Sequence, residues 1–147
     1  MREPRGCITV NDESKFQDTT PEVDSANHLI EPLSVGSGRT RVKLELKFQG
    51  RDILLLVTGG EAHVGAVAVW DSREKDGPAT VTELPGHREG PLAVECSEIL
   101  GRALGRTVAA VVGIHQDNAT REEIAAIVAN VRQGVVELAE NKGTSDD

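Results

Sequence analysis

The sequence predicts an α+β fold, a two-layer sandwich in which a mostly antiparallel five-stranded sheet, in the order ββββαβα, carries two helices on one face. Three observations lead there. Period-2 alternation starts near residue 40, turn-like stretches separate four apolar runs, and two segments of helical apolar spacing flank one further apolar run.

In "TRVKLELKF" (40–48), Val42, Leu44, Leu46 and Phe48 alternate with Arg41, Lys43, Glu45 and Lys47, the pattern of a strand with one wet face. "QGRD" (49–52) turns into the more buried strand "ILLLVT" (53–58), and "GGEA" (59–62) turns again into a strand from His63 to Trp70. The charged loop "DSREKDGP" (71–78) leads to a fourth strand, "ATVTEL" (79–84). Connections this short favour an antiparallel meander of the four. "PGHREGP" (85–91) ends it, and Pro91 suits a first helical turn, where its missing N–H would have been unpaired. Leu92, Cys96, Ile99, Leu100 and Ala103 then repeat at helical spacing until Gly105 stops the helix. "RTVAAVVGI" (106–114) is the fifth strand, central by its apolarity. Thr120 and Glu123 form a capping box for the last helix, whose apolar stripe is Ile124, Ile127, Val128, Val131, Val135 and Leu138.

A chain of 147 residues is enough for one domain with a real core. The expected organisation is a polar flexible tail over 1–39, an α+β domain over 40–141 and a polar tail over 142–147. Within the first tail, the apolar patches "CITV" (7–10) and "HLIEPL" (28–33) are suited to pairing with a sheet edge. Sixteen Lys+Arg against 24 Asp+Glu give a net charge of −8, and no basic stripe alternates with aromatics, which argues against a nucleic-acid partner. "ILLLV" (53–57) and "VGAVAVW" (64–70) are too short to span a membrane, and the N-terminus lacks the apolar segment of a signal peptide. Cys7 and Cys96 make neither a disulfide framework nor a CxxC motif, so the expected setting is the cytoplasm. With Phe16, Phe48 and Trp70 the only aromatics, a bound ring would rest on aliphatic side chains or backbone, with Trp70 left as the one stacking candidate.

Three of the four histidines fall at element junctions: His63 where "GGEA" enters a strand, His87 and His115 in the loops before the two helices. Backbone N–H groups point outward at helix starts, so two such starts side by side suit an anion. Arg88 is placed for a bidentate contact with phosphate or carboxylate. Gly59, Gly60 and Gly65 either serve turn chemistry or let a ligand approach the backbone, and Asp117, Asn118 and Thr120 either cap a helix or touch that ligand. The alternative is a divalent metal held by His63, His87 and His115, making a metal-dependent hydrolase or isomerase with Glu61 or Glu89 as general base; the spacings match no metal motif. No GxSxG, P-loop, Rossmann or HExxH motif is present, which favours binding over catalysis.

Three stretches taken together, "GGEAHVGAVAVW" (59–70), "LPGHREGPLA" (84–93) and "GRTVAAVVGIHQDNATREEI" (105–124), resemble the prenylated-flavin chaperone family over about residues 40–140. These are the LpdD-like proteins, known also as accessory subunits of gallate decarboxylase. The resemblance implies a non-catalytic protein that binds reduced prenylated FMN, the product of a UbiX-type flavin prenyltransferase, and delivers it to a UbiD-type decarboxylase of aromatic or related unsaturated acids. It makes ligand contacts of Gly60, His63, Gly65, His87, Arg88, His115, Asp117, Asn118 and Thr120. The FMN phosphate would suit Arg88 and the helix starts, and the strand "VGAVAVW" would supply an apolar wall. A homodimer is expected, because one helical layer leaves the second face of the sheet to cover.

Overall fold

A computed structural model describes residues 31–143 of the chain. The expectations for "CITV", for the rest of the tail up to residue 30 and for the last four residues lie outside the described residues. The elements run β1 (Leu33–Val35), β2 (Val42–Gln49), β3 (Asp52–Gly60), β4 (Ala66–Trp70), β5 (Thr80–Glu83), α1 (Gly90–Leu104), β6 (Val108–His115) and α2 (Arg121–Gly143), with a 3-10 turn at Gly38–Thr40 between the first two strands.

The architecture is α+β, as expected, but the sheet has six strands and is mixed, in the order β1-β2-β3-β6-β4-β5. The sixth strand is β1, which pairs Leu33 with Leu44 and Val35 with Val42 and lies inside the stretch assigned to the tail. At three residues it is too short to carry a period of its own. α2 likewise runs two residues past the expected end of the domain.

The larger departure is the meander. β6 lies between β3 and β4, parallel to the first and antiparallel to the second, so β3 and β4 are not neighbours. "GGEA" is accordingly not a tight turn: Gly59 and Gly60 end β3, and residues 61–65 step across the end of β6. Skipping one strand means covering two spacings of about 4.8 Å, within reach of a five-residue link. Glu61 N–H donates to the His115 carbonyl (2.9 Å) and Gly65 N–H to the Val112 carbonyl (3.0 Å), which fastens both ends of the link to β6. Between them the link lies directly on Gly113, where a Cβ would overlap the His63 carbonyl. Only glycine permits that crossing.

One face of the sheet is the core. Leu44, Val57, Val112 and Ala66 stand abreast, as do Leu46, Leu55, Ala110 and Ala68, and all are buried. They meet Ala93, Cys96 and Leu100 of α1 and Ile127, Val131, Val135 and Leu138 of α2, so both helices cover the same face. Each fully buried Leu or Val contributes about 1.5–3 kcal/mol by leaving water. Trp70 is 2% exposed and stacks over Gly101 of α1, at the end of β4 remote from His63. Cys96 is also core: burial pushes its thiol up to about 12, which leaves it protonated and inert. α1 ends on Gly105 in the left-handed conformation (φ 64°) and α2 begins with the expected capping box. No helix among the described residues is long and apolar enough to cross a membrane.

Candidate functional site

β3 and β6 are the one parallel pair among the described residues, and their C-terminal ends, Gly60 and His115, open between the first turns of α1 and α2. In open sheets with helical crossovers this is where ligands bind, because the connections diverge and leave a crevice. A pocket of about 690 Å³ occupies the place. Its polar side is Glu61, His63, His87, Arg88, Glu89, His115 and Gln116, and its apolar side is Leu92 of α1, Ile114 of β6 and Ile124, Ile127 and Val128 of α2.

The three imidazoles come together. The His63 ring lies 5.0 Å from His87 and 6.3 Å from His115, centroid to centroid. Their orientations are fixed by partners that can only accept. His63 Nδ1–H donates to the Glu61 carbonyl (3.0 Å) and His87 Nδ1–H to the Pro85 carbonyl (2.9 Å), so in both rings Nε2 is the nitrogen left for a ligand. His115 is reversed: Nε2–H donates to Asp117 Oδ1 at 2.9 Å, leaving Nδ1. His63 Nε2 also faces Glu89 Oε1 at 3.6 Å, an ion-pair distance longer than a direct hydrogen bond. The other carboxylate oxygen, Oε2, is buried without a protein partner and packs on Gly65, where a Cβ would overlap it. Arg88 is exposed at the pocket wall and, among the described residues, has no ion-pair partner.

Of the nine expected ligand contacts, His63, His87, Arg88 and His115 line the pocket. Gly60 and Gly65 stand behind it. Gly60 has a left-handed backbone (φ 58°) and lies against His115 and Gln116, whereas Gly65 makes room for Glu89. Asp117 reaches the pocket through His115, Asn118 holds the left-handed turn of the loop (φ 54°), and Thr120 caps α2. One expectation is corrected. The apolar wall is not strand 64–70, whose Ala66, Ala68 and Trp70 are core, so Trp70 is also out of reach for stacking; helix residues and Ile114 of β6 form the wall instead. At the start of α1 the Gly90 N–H already donates to Glu83 Oε2 at 2.6 Å, and Pro91 has no N–H to offer an anion. For the metal reading, no group of three or more His, Cys, Asp or Glu side chains among the described residues is arranged to hold an ion.

The sequence reading missed Gln116, Gly113 and Arg39. Arg39, in the stretch assigned to the tail, donates through Nε to Glu123 Oε2 (2.7 Å) and through Nη2 to the Asp117 carbonyl. No local pattern marks it, since its partners lie 78 and 84 residues away.

A two-layer domain whose parallel strand pair opens between two helix starts, onto an apolar hollow with a basic and histidine-rich wall, has the shape and lining common to small-molecule sites. A model of the prenylated flavin chaperone LpdD-like domain matches residues 36–142, and the chain belongs to that family. No curated protein matches the chain.

Proposed function

We propose that this protein binds reduced prenylated FMN in the pocket at the ends of β3 and β6 and delivers it to a UbiD-type decarboxylase, having received it from a UbiX-type flavin prenyltransferase. The observation that carries the reading is the meeting of Arg88 and three converging imidazoles with an apolar wall in a hollow of about 690 Å³. That volume falls within the roughly 300–1,000 Å³ of small-molecule sites. An anionic phosphate suits Arg88, the free ring nitrogens suit N–H or O–H donors of the ligand, and a broad fused ring suits Leu92, Ile114, Ile124 and Val128. The wall is aliphatic, so the ring is held by shape and burial without aromatic stacking. Such a grip fits a carrier that must let go. Delivery to an acceptor enzyme fits the family's description as a prenylated flavin chaperone, and a cytoplasmic setting belongs to the same reading.

Anaerobic mixing with reduced prenylated FMN should give a flavin spectrum that stays with the protein through gel filtration. Arg88→Ala should weaken retention about tenfold or more, the scale of a lost hydrogen bond to a charged group. His115→Ala, at a side chain 52% exposed, should cost less. Variants that both hold the cofactor like the parent would refute the site.

A homodimer belongs to the same proposal. On the sheet face away from the helices, Leu54, Leu56, Val67, Val69, Ala109 and Val111 form two adjacent rows. Sedimentation should return twice the 15.7 kDa chain mass, and Val67→Lys should halve it; a monomeric parent would remove the dimer and leave the pocket untouched.

A further inference from the structure

The histidine at the end of β6 is held by a pair that has little reason to hold still. Asp117, whose carboxylate accepts the hydrogen bond from His115 Nε2–H, is 74% exposed, and His115 is 52% exposed. An exposed pair of this kind is weak when both groups swing freely. Its geometry therefore depends on what fixes the backbone of the loop 116–120, whose Asn118 is already in a conformation that side chains rarely adopt.

Two contacts from outside the junction do this, both from the 3-10 turn between β1 and β2. Arg39 spans the loop, with Nη2–H on the Asp117 carbonyl and Nε–H on Glu123 Oε2. Beside it, Asn130 of α2 donates from Nδ2 to the Thr40 carbonyl at 2.9 Å, and the Gly36 backbone lies flat against the same amide. The turn is thus clamped to α2, and Arg39 projects from a fixed base. Glu123 is fully engaged: Oε1 accepts the Thr120 N–H (3.0 Å) while Oε2 takes Arg39. One guanidinium joins the capping box of α2 to the peptide that carries Asp117.

We propose that Arg39 is a positioning residue of the pocket: by holding the Asp117 carbonyl and Glu123 together, it orients the Asp117 carboxylate, which in turn fixes the His115 ring with Nε2 outward and Nδ1 toward the ligand. Arg39 touches no ligand itself. Both contacts matter, so lysine, with a single ammonium and no planar fork, replaces only part of the function. The role of His115 in capture rests on the flavin reading above; the latch does not.

The test uses the full chain in two measurements. In ligand-free protein, nitrogen NMR of the imidazole rings should show His115 in one tautomer, protonated at Nε2. Arg39→Ala should give a mixture of tautomers, Arg39→Lys should fall between, and Thr120→Ala, which weakens the helix cap without touching the Asp117 peptide, should leave the His115 signal as in the parent. With reduced prenylated FMN, Arg39→Ala should lower affinity about fivefold, the scale of an exposed polar latch. An unchanged His115 signal in Arg39→Ala would overturn the proposal, as would a signal that shifts equally in Thr120→Ala, because that marks general loosening of α2. A shifted signal with unaltered flavin affinity would uphold the latch and strike His115 from the flavin contacts.

Discussion

The β5–α1 and β6–α2 junctions both deliver a histidine to the pocket, and they do so by opposite means. At the first, Glu83 takes the Gly90 N–H and the His87 N–H closes a turn onto the Leu84 carbonyl (3.1 Å). Glu89, the residue that caps α1, makes no side-chain cap bond; its carboxylate turns inward, largely buried, against Gly65 and His63. At the second, Thr120 and Glu123 cap α2 reciprocally, the left-handed Asn118 turns the chain, and Arg39 straps the loop from outside. Both junctions use hydrogen bonds, but the first also packs a largely buried carboxylate against the sheet, whereas the second rests on bonds at the surface. The proposed carrier role would draw on both in one site: a firm wall against which a ring registers, and a rim whose bonds exchange with water at little cost.

The largest effect should come from breaking the packed junction. Gly65→Ala puts a methyl group where Glu89 Oε2 now sits, and Gly65 is itself pinned by the Val112 carbonyl on one side and the Leu84 N–H on the other, so the carboxylate has to leave. Overfilling a well-packed site costs about 1–3 kcal/mol, and the displaced Glu89 would no longer face His63. Urea denaturation should show that loss, with flavin retention falling in parallel. The double variant Gly65→Ala/Glu89→Ala, which removes the colliding group, should recover much of the stability but not the retention. Stability that does not recover would mean that the glycine serves its own backbone and not Glu89.

The contrast between the junctions also explains what could be read from the chain. Signals confined to one element were legible: the alternation of Val42, Leu44 and Leu46, the Gly105 stop, and the Thr120/Glu123 box each depend on neighbours within a few residues. The surface-bonded junction was therefore largely visible, and the gathering of His63, His87 and His115 followed from placing each at an element end. The packed junction was not, because its logic is long-range. Whether β4 sits beside β3 or beyond β6 is decided by Gly113 letting residues 61–65 cross, and nothing in the alternation of "ILLLV" or "AVAVW" encodes that choice. The same holds for Glu89, whose neighbour Gly65 reads locally as ordinary turn chemistry, and for Arg39, which looks like the end of a tail until β1 anchors it.

A middle-sized effect should come from uncapping the surface-bonded junction. Thr120 Oγ1 accepts the Glu123 N–H at 3.1 Å, and losing such a cap costs about 0.5–2 kcal/mol. Thr120→Ala should therefore lower the melting temperature while leaving most of the flavin affinity, since the Thr120 side chain is spent on the cap and not on the pocket wall. That is the reverse of Arg88→Ala, which should cost affinity and leave the melting temperature near the parent's. If Thr120→Ala abolished binding at unchanged stability, the hydroxyl would be a ligand contact, and the division of labour between cap and rim would fail.

The smallest effect concerns acid. The Thr120 backbone N–H, and after it Arg39, hold the Glu123 carboxyl below its ordinary value of 4.5. A carboxyl depressed in the folded state binds its proton more weakly there than in the unfolded chain. Its stabilising contribution is therefore complete above the unfolded value and is lost as the pH falls through the lower, folded one. The loss belongs below about pH 4.5, and at neutral pH nothing should change. Because the pair is exposed, the contribution is modest and screened by salt. Melting temperatures taken from pH 7 down to pH 3 at low salt should fall less steeply for Glu123→Gln than for the parent, and added salt should narrow the gap. Identical acid limbs would show that the Arg39–Glu123 contact carries no charge-dependent stability, leaving Arg39 to act through the Asp117 carbonyl alone, a bond that acid does not titrate.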